Sequence, residues 1–195
     1  MTQQVTSDVI AAGSITPAQL VNSGNELGMR NRIINGAMGI AQRGTTSTTQ
    51  GYSTVDRFYC NRSGAAPNLA MTQVYGAFGI AGYSLRLQRS AGDTSTASIA
   101  IYQAIEGVNC RDLAGTNITV SFLVGTGGNA SSLSANGISL LSQTTTTDIG
   151  PSGSWTSTLT SQFTLTSSSG FVQKTATFAV PSNATQLMLC IYCLL

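Results

Sequence analysis

The sequence contains no histidine. Without an imidazole, the Ser-His-Asp and Cys-His nucleophilic designs and His-ligated zinc sites are excluded. Charge is almost as scarce. Asp, Glu, Lys and Arg make up 8% of the 195 residues, against about 25% in an average soluble protein. There is a single lysine, Lys174, and the formal net charge is +2. So even a balance supports no strong counterion-release mode on nucleic acid, and no nucleic-acid partner is expected. Long hydrophobic runs are missing too. The longest, Leu187–Leu195, has nine residues, too few to cross a bilayer as a helix, so no membrane insertion is expected. The N-terminal stretch has neither a basic start nor an apolar core of signal-peptide length, and no secretion signal is read there.

What is abundant is small and uncharged. Ser and Thr together number 50, Gly numbers 21, and apolar residues reach 42%. That is enough to bury a core, and it excludes disorder driven by high charge. Solubility then rests on hydroxyls, amides and glycine. Such a surface repels neighbouring copies weakly, and covering it desolvates few ions. The composition suits a protein that works packed against other protein, although a secreted adhesive β domain has a similar one.

Residues 1–29 are polar with scattered aliphatics, among them Val9, Ile10, Ile15, Leu20 and Val21. Thr16 and Pro17 are placed as N-cap and first residue of a short helix, stopped by Asn22–Gly24. One or two turns do not hold together alone. A segment without a core of its own gains order by lying on something else, so 1–29 is read as a docking arm and 30–195 as the body.

In the body, short stretches with strand character alternate with Gly, Pro, Asn and Ser clusters. The expected strands are Ser53–Cys60, Leu69–Tyr75, Tyr83–Arg89, Ser98–Ile105, Asn117–Val124, Gly137–Leu141, Trp155–Leu165, Phe171–Val180 and Gln186–Leu195. Ser84–Arg89, Thr119–Phe122 and Thr175–Val180 alternate with period two. Strands at this spacing, without a convincing helix after residue 30, predict an all-β jelly-roll or β-sandwich domain. Ser142–Thr147 and Thr166–Gly170 read as hydroxyl-covered loops or edge strands.

Cys190 and Cys193 form a C-x-x-C pair. A redox or metal pair belongs in a turn or at a helix start. Here the pair lies in an apolar strand-like run, where the two side chains point to opposite faces, which favours buried free thiols. A disulfide from Cys60 or Cys110 to one of the last two is the open alternative.

Two stretches carry a more specific signal. The first is Arg30-Asn31-Arg32-Ile33-Ile34-Asn35-Gly36-Ala37-Met38 with Gly39-Ile40-Ala41-Gln42-Arg43-Gly44, followed by Gly51-Tyr52-Ser53-Thr54-Val55-Asp56-Arg57-Phe58. The second is Ile105-Glu106-Gly107 with Asp112-Leu113-Ala114-Gly115 and Ile118–Phe122. Together they resemble a domain of tailed-bacteriophage virion appendage proteins, the tail-fibre and head-fibre group, over roughly residues 30 to 124. Val172–Tyr192 matches more loosely. The resemblance implies a jelly roll like that of carbohydrate-binding modules, commonly trimeric and placed where the particle meets its host.

Read physically, Ile33, Ile34, Met38 and Ile40 should cover one end of the sandwich, and Asn35-Gly36 should turn the chain. Asp56 and Arg57, adjacent in the expected strand, should face opposite sides, with Arg43 or Arg32 as the partner of Asp56. An Arg–carboxylate pair there fixes register. Asn35, Gly36, Asp56 and Arg57 are thus expected to be structural.

The chain has seven carboxylates: Asp8, Glu26, Asp56, Asp93, Glu106, Asp112 and Asp148. A glycosidase needs two of them about 5–10 Å apart across a sugar. Glu106 and Asp112 flank one turn, yet they also read as turn chemistry, with Asp112 capping a single helical turn. No acid/base pair is assigned, and no catalytic residue, metal site or cofactor is expected. Sugar binding needs an aromatic platform beside amides or carboxylates. Trp155, Tyr52 and Tyr102 are the candidates, with Tyr75 and Tyr83 behind them, while a lone tryptophan in a β-sandwich also reads as core. The expectation is a non-enzymatic virion protein on the phage particle: a homotrimeric fibre or appendage that joins other virion proteins through its arm and contacts host-surface polysaccharide. A capsid decoration protein is the alternative, and a tailspike depolymerase the third reading.

Overall fold

The computed structural model describes residues 31–62, 69–92, 98–128, 133–165 and 170–194. The docking-arm residues Val9, Ile10, Ile15, Leu20 and Val21 lie outside them, as does most of Thr166–Gly170. The described residues form the strands β1 (Thr46–Ser47), β2 (Tyr59–Arg62), β3 (Leu69–Tyr75), β4 (Tyr83–Arg89) and β5 (Ser98–Ile105), then β6 (Asn117–Val124), β7 (Leu133–Gln143), β8 (Ser157–Leu165), β9 (Val172–Ala179) and β10 (Gln186–Leu194). The fold is all-β, as the patterning predicts. Among the described residues no helix is long and apolar enough to cross a membrane.

β3, β4, β5 and β6 occupy the spans expected from alternation and punctuation. β7 runs well beyond the expected Gly137–Leu141, because its apolar alternation is confined to the middle while the flanking Asn136, Ser142 and Gln143 are buried polar residues. The expected strand Ser53–Cys60 is wrong. Arg57 has φ 74°, a left-handed conformation that no strand accommodates, and the amide of Phe58 closes a turn onto the carbonyl of Val55 at 3.3 Å. Thr54 and Val55 are buried in that turn, so its apolar pattern imitates a strand. Only Tyr59–Arg62 pairs, against β5.

All strand pairings are antiparallel. One sheet has five strands in the order β2-β5-β10-β7-β8; the others are β1-β3-β4 and β6-β9. The five-stranded sheet is one layer of a sandwich. Its Ile105, Ile138, Leu140, Leu187 and Leu189 pack with Ala176 and Phe178 of β9, with Ile118, Val120 and Phe122 of β6 against them. Farther along the same layer, Cys60 and Ile99 pack with Leu69 and Met71 of β3, flanked by Leu85 and Leu87 of β4. The second layer is therefore made of two separate small sheets.

β10 lies at the centre of the five-stranded sheet. Leu187 and Leu189 on one face and Met188 and Cys190 on the other are all buried. Burial on both faces replaces alternation by a continuous apolar run, which explains the C-terminal sequence. The four cysteines are free thiols, three of them buried. Cys190 and Cys193, three positions apart on β10, fall on opposite faces, as strand geometry requires. Burial pushes the thiols of Cys60, Cys190 and Cys193 up to about 11, which leaves little thiolate for redox chemistry at neutral pH. The single lysine, Lys174, sits 5.9 Å from the ring centre of Phe163.

Candidate functional site

The motif segments meet at one edge of the five-stranded sheet. Asn35 turns the chain with φ 57°, a conformation that Asn tolerates better than most residues. Its Nδ2 donates to the carbonyls of Ile40 (2.9 Å) and Asp56 (3.0 Å), and its Oδ1 accepts from the amide of Ile40 (3.1 Å). The buried Gln103 of β5 grips the turn from below: its Oε1 accepts from the amide of Ile34 (2.7 Å) and its Nε2 donates to the carbonyl of the same residue (2.9 Å). Ile33 packs onto the core, but Ile34 and Ile40 are exposed. Covering an end of the sandwich thus falls to Ile33 rather than to the whole aliphatic run, because Gln103 and Asn35 satisfy the backbone on either side.

Asp56 and Arg57 are not split across a strand. They occupy the turn, and each has a separate task. Asp56 Oδ1 accepts from the backbone amide of Gln42 at 3.2 Å, while Arg43 donates to the carbonyl of Tyr52. Arg57 Nη2 pairs with Glu106 Oε1, which ties the Asp-Arg turn to the Ile-Glu-Gly segment. Gly107 follows at a site that accepts nothing larger. Its amide donates to Asp148 Oδ1 at 2.8 Å, and a Cβ there would stand 2.8 Å from the carbonyl oxygen of Thr185. Asp112 lies inside the one-turn helix Arg111–Leu113, whose N-cap is Cys110 without a side-chain cap, so it does not cap that turn. The cap position falls two residues before it.

Beside this cluster runs a row of three tyrosines. Tyr52, 37% exposed, meets Tyr59 edge-on with ring centres 5.3 Å apart. Tyr59 lies 6.3 Å from Tyr102, its direct cross-strand partner in the β2–β5 register. Hydrogen-bonding groups border the row. Arg43 Nη1 donates to the carbonyl of Tyr52 (3.2 Å), and Gln50 Nε2 reaches the hydroxyl of Tyr59 (3.5 Å). Asn61 hydrogen-bonds Tyr102. Burial pushes the phenol of Tyr52 up, partly offset by the Arg57 guanidinium nearby, with Glu106 adding to the rise. Tyr52 is thus coupled to the motif ion pair electrostatically.

Tyr52 and Tyr102 are brought together; Trp155 is not part of the row. It lies in the β7–β8 connection, toward the opposite edge of the sheet order from β2, with its indole N–H buried and without a hydrogen-bond partner. Tyr75 and Tyr83 form a second cross-strand pair, 5.2 Å apart, at the tip of the β3–β4 hairpin. Tyr59 is the residue that sequence reasoning missed. Its signal was its place two residues before Asn61 in a short strand that faces β5, which the misplaced strand at Ser53–Cys60 concealed.

Burial raises the Glu106 carboxyl, but the hydrogen bond and charge of Arg57, with help from a backbone amide and Asn109, outweigh it and hold Glu106 below its usual value of 4.5. A carboxyl held lower in the folded than in the unfolded chain stabilises the fold above the unfolded value. That contribution is lost as pH falls through the folded value. Both partners are partly exposed, at 41% and 32%, so the effect is at most about 1 kcal/mol. Urea unfolding measured from neutral pH down into the acid range should show wild type losing more stability than Glu106→Gln. Parallel curves for the two proteins would show that the pair contributes nothing.

No known protein family matches the chain, and no curated protein matches it. Among solved structures, the enzymatically active domain of bacteriophage CBA120 tailspike protein 4 is similar over 84% of this chain at 11% identity, with a TM-score of 0.49. This chain spans 19% of that one.

Proposed function

We propose that this is a non-enzymatic bacteriophage virion protein, a homotrimeric fibre or appendage component, whose Tyr52–Tyr59–Tyr102 row contacts polysaccharide on the host surface. The observation that carries the reading is the convergence of that row with the motif cluster. Ring faces for sugar C–H groups stand beside the amides of Gln50 and Asn61 and the Arg57–Glu106 pair. The motif resemblance of residues 30 to 124 supplies the virion context, and the uncharged composition suits assembly with other virion proteins through the arm, 1–29.

A depolymerase reading is weakened by the engagement of three of the four described carboxylates. Glu106 holds Arg57 and Asn109, Asp148 takes the amide of Gly107, and Asp56 takes that of Gln42. Low surface charge favours a second reading, a decoration protein on the capsid, because covering such a surface desolvates few ions.

The test is binding of the full chain to a panel of bacterial surface polysaccharides. Tyr52→Ala should weaken binding about tenfold, as removal of an aromatic anchor does, and light scattering should give three copies per particle. A folded protein that binds none of the panel favours the decoration reading. Binding that survives both Tyr52→Ala and Tyr59→Ala overturns the tyrosine row, and a monomer at micromolar concentration overturns the trimer.

A further inference from the structure

The second layer of the sandwich is interrupted, and the interruption is a cleft of about 470 Å³. Ser84, Leu85, Arg86 and Leu87 of β4 form one wall. Consecutive residues point to alternate faces of a strand, so a wall of consecutive residues is a strand edge. Phe122, Leu123 and Val124 of β6 form another wall in the same way. The floor is the inner face of the first layer, with Ile99 and Ile101 of β5 and Ile191 and Cys193 of β10.

Two features favour a ligand pocket over a seat for another strand. The first is Met38, a residue of the first motif. Its Sδ accepts the amide of Leu85 at 2.9 Å, and its carbonyl accepts from Gln73 Nε2 at 2.6 Å. It therefore occupies the β4 edge at the point where an incoming backbone would have to bond. The second is Phe78 at the tip of the β3–β4 hairpin. It is held at φ 52°, an uncommon conformation for a bulky residue, and is 51% exposed. Its ring meets Phe171 edge-on, with centres 5.1 Å apart, and Gly125 lies so close that a Cβ there would stand 2.7 Å from it. Strain of this kind persists where surrounding structure over-determines it. Here it places an aromatic ring across the β4 and β6 sides of the cleft.

The lining is otherwise aliphatic and aromatic, with Ser84 and Thr126 as its hydroxyls and Arg86 as its one charge. Leu85 and Leu87 turn toward the core, so Arg86, on the alternate face, stands at the rim. Among the described residues no carboxylate forms an ion pair with it. The volume is within the usual range for ligand pockets, about 300–1,000 Å³.

We propose that the cleft binds one unbranched aliphatic chain with an anionic head group, the chain lying on Ile101 and Ile191 and the head at Arg86. This does not rest on the polysaccharide reading, which concerns the tyrosine row.

The experiment is calorimetric titration of the full chain with hexanoate, octanoate, decanoate and dodecanoate. Each added methylene should strengthen binding about fourfold, the equilibrium equivalent of burying one CH₂, until the cleft is full. Arg86→Gln, at an exposed position with no ion pair among the described residues, should weaken decanoate about fivefold and leave decanol unchanged. Decanoate should also slow alkylation of Cys193 but not of Cys110. Affinity independent of chain length, unaltered decanoate binding in Arg86→Gln, or no binding at millimolar ligand would each overturn the proposal. So would concentration-dependent protection of the β4 and β6 amides without decanoate uptake, which would make the cleft a strand seat between copies.

Discussion

Leu187→Ala is expected to lower the free energy of unfolding by about 3 kcal/mol, within the 2–5 kcal/mol typical of such truncations in well-packed cores. Leu187 has 0% of its surface exposed and lies on the central strand, across from Ile105 of β5 and Ser142 of β7. It faces the cluster in which β9 supplies Ala176 and Phe178. Neither backbone layer can move in to fill the space, because the register of β10 is fixed on both sides by ladders that run nearly its whole length. The lost transfer energy is therefore joined by the cost of a cavity. Urea denaturation followed by circular dichroism reads the effect, with Val108→Ala as control. Val108 is 77% exposed, and its truncation should stay within about 0.5 kcal/mol of wild type. A loss under about 2 kcal/mol at Leu187, below the core-truncation range, would mean that the five-stranded sheet and β6-β9 do not meet there.

The second large effect is expected at Asn35. Asn35→Ala removes three hydrogen bonds, to Ile40 and Asp56, each with a net contribution of about 1 kcal/mol or less. It also forces a Cβ residue with no local hydrogen bonding into φ 57°, at a cost of about 1 kcal/mol. The expected loss is about 3 kcal/mol. Asn35→Gly isolates the two contributions, since glycine takes the left-handed conformation freely and loses only the bonds. It should be the milder change, by about 1 kcal/mol. If glycine is as damaging as alanine, the backbone conformation is not what Asn35 supplies. Because Asn35 holds the turn that Gln103 brackets, the alanine variant should also loosen the Asp56–Arg57 turn, and the polysaccharide binding proposed for the tyrosine row should weaken with it.

Several elements were legible before any coordinates because their evidence is local. β3, β4, β5 and β6 have alternating or apolar runs bounded by Gly, Asn, Ser or Arg, and both ends fall where the punctuation says. The role of Asn35-Gly36 as a turn was legible for the same reason. The pair Asp56-Arg57 was not. Its neighbours Thr54 and Val55 are buried as strand residues would be, and only the left-handed backbone at Arg57 distinguishes turn from strand. Tyr59 was hidden behind that error. The partner of Glu106 was also out of reach, since Arg57 lies 49 positions earlier and no spacing rule links a turn to the end of a strand that far along the chain.

By itself the sequence determined the class of the fold, the scarcity of charge, the opposite faces of Cys190 and Cys193 and the segments that carry the motif. These follow from side-chain period and composition, which act over a few residues. Only the tertiary structure decided that the second layer is broken between β4 and β6, that Tyr52, Tyr59 and Tyr102 form a row, and that Arg57 reaches Glu106. Period reports which face of a strand is buried but not which edge finds a partner. Edge pairing is fixed by long-range packing, and both the cleft and the tyrosine row are made at edges.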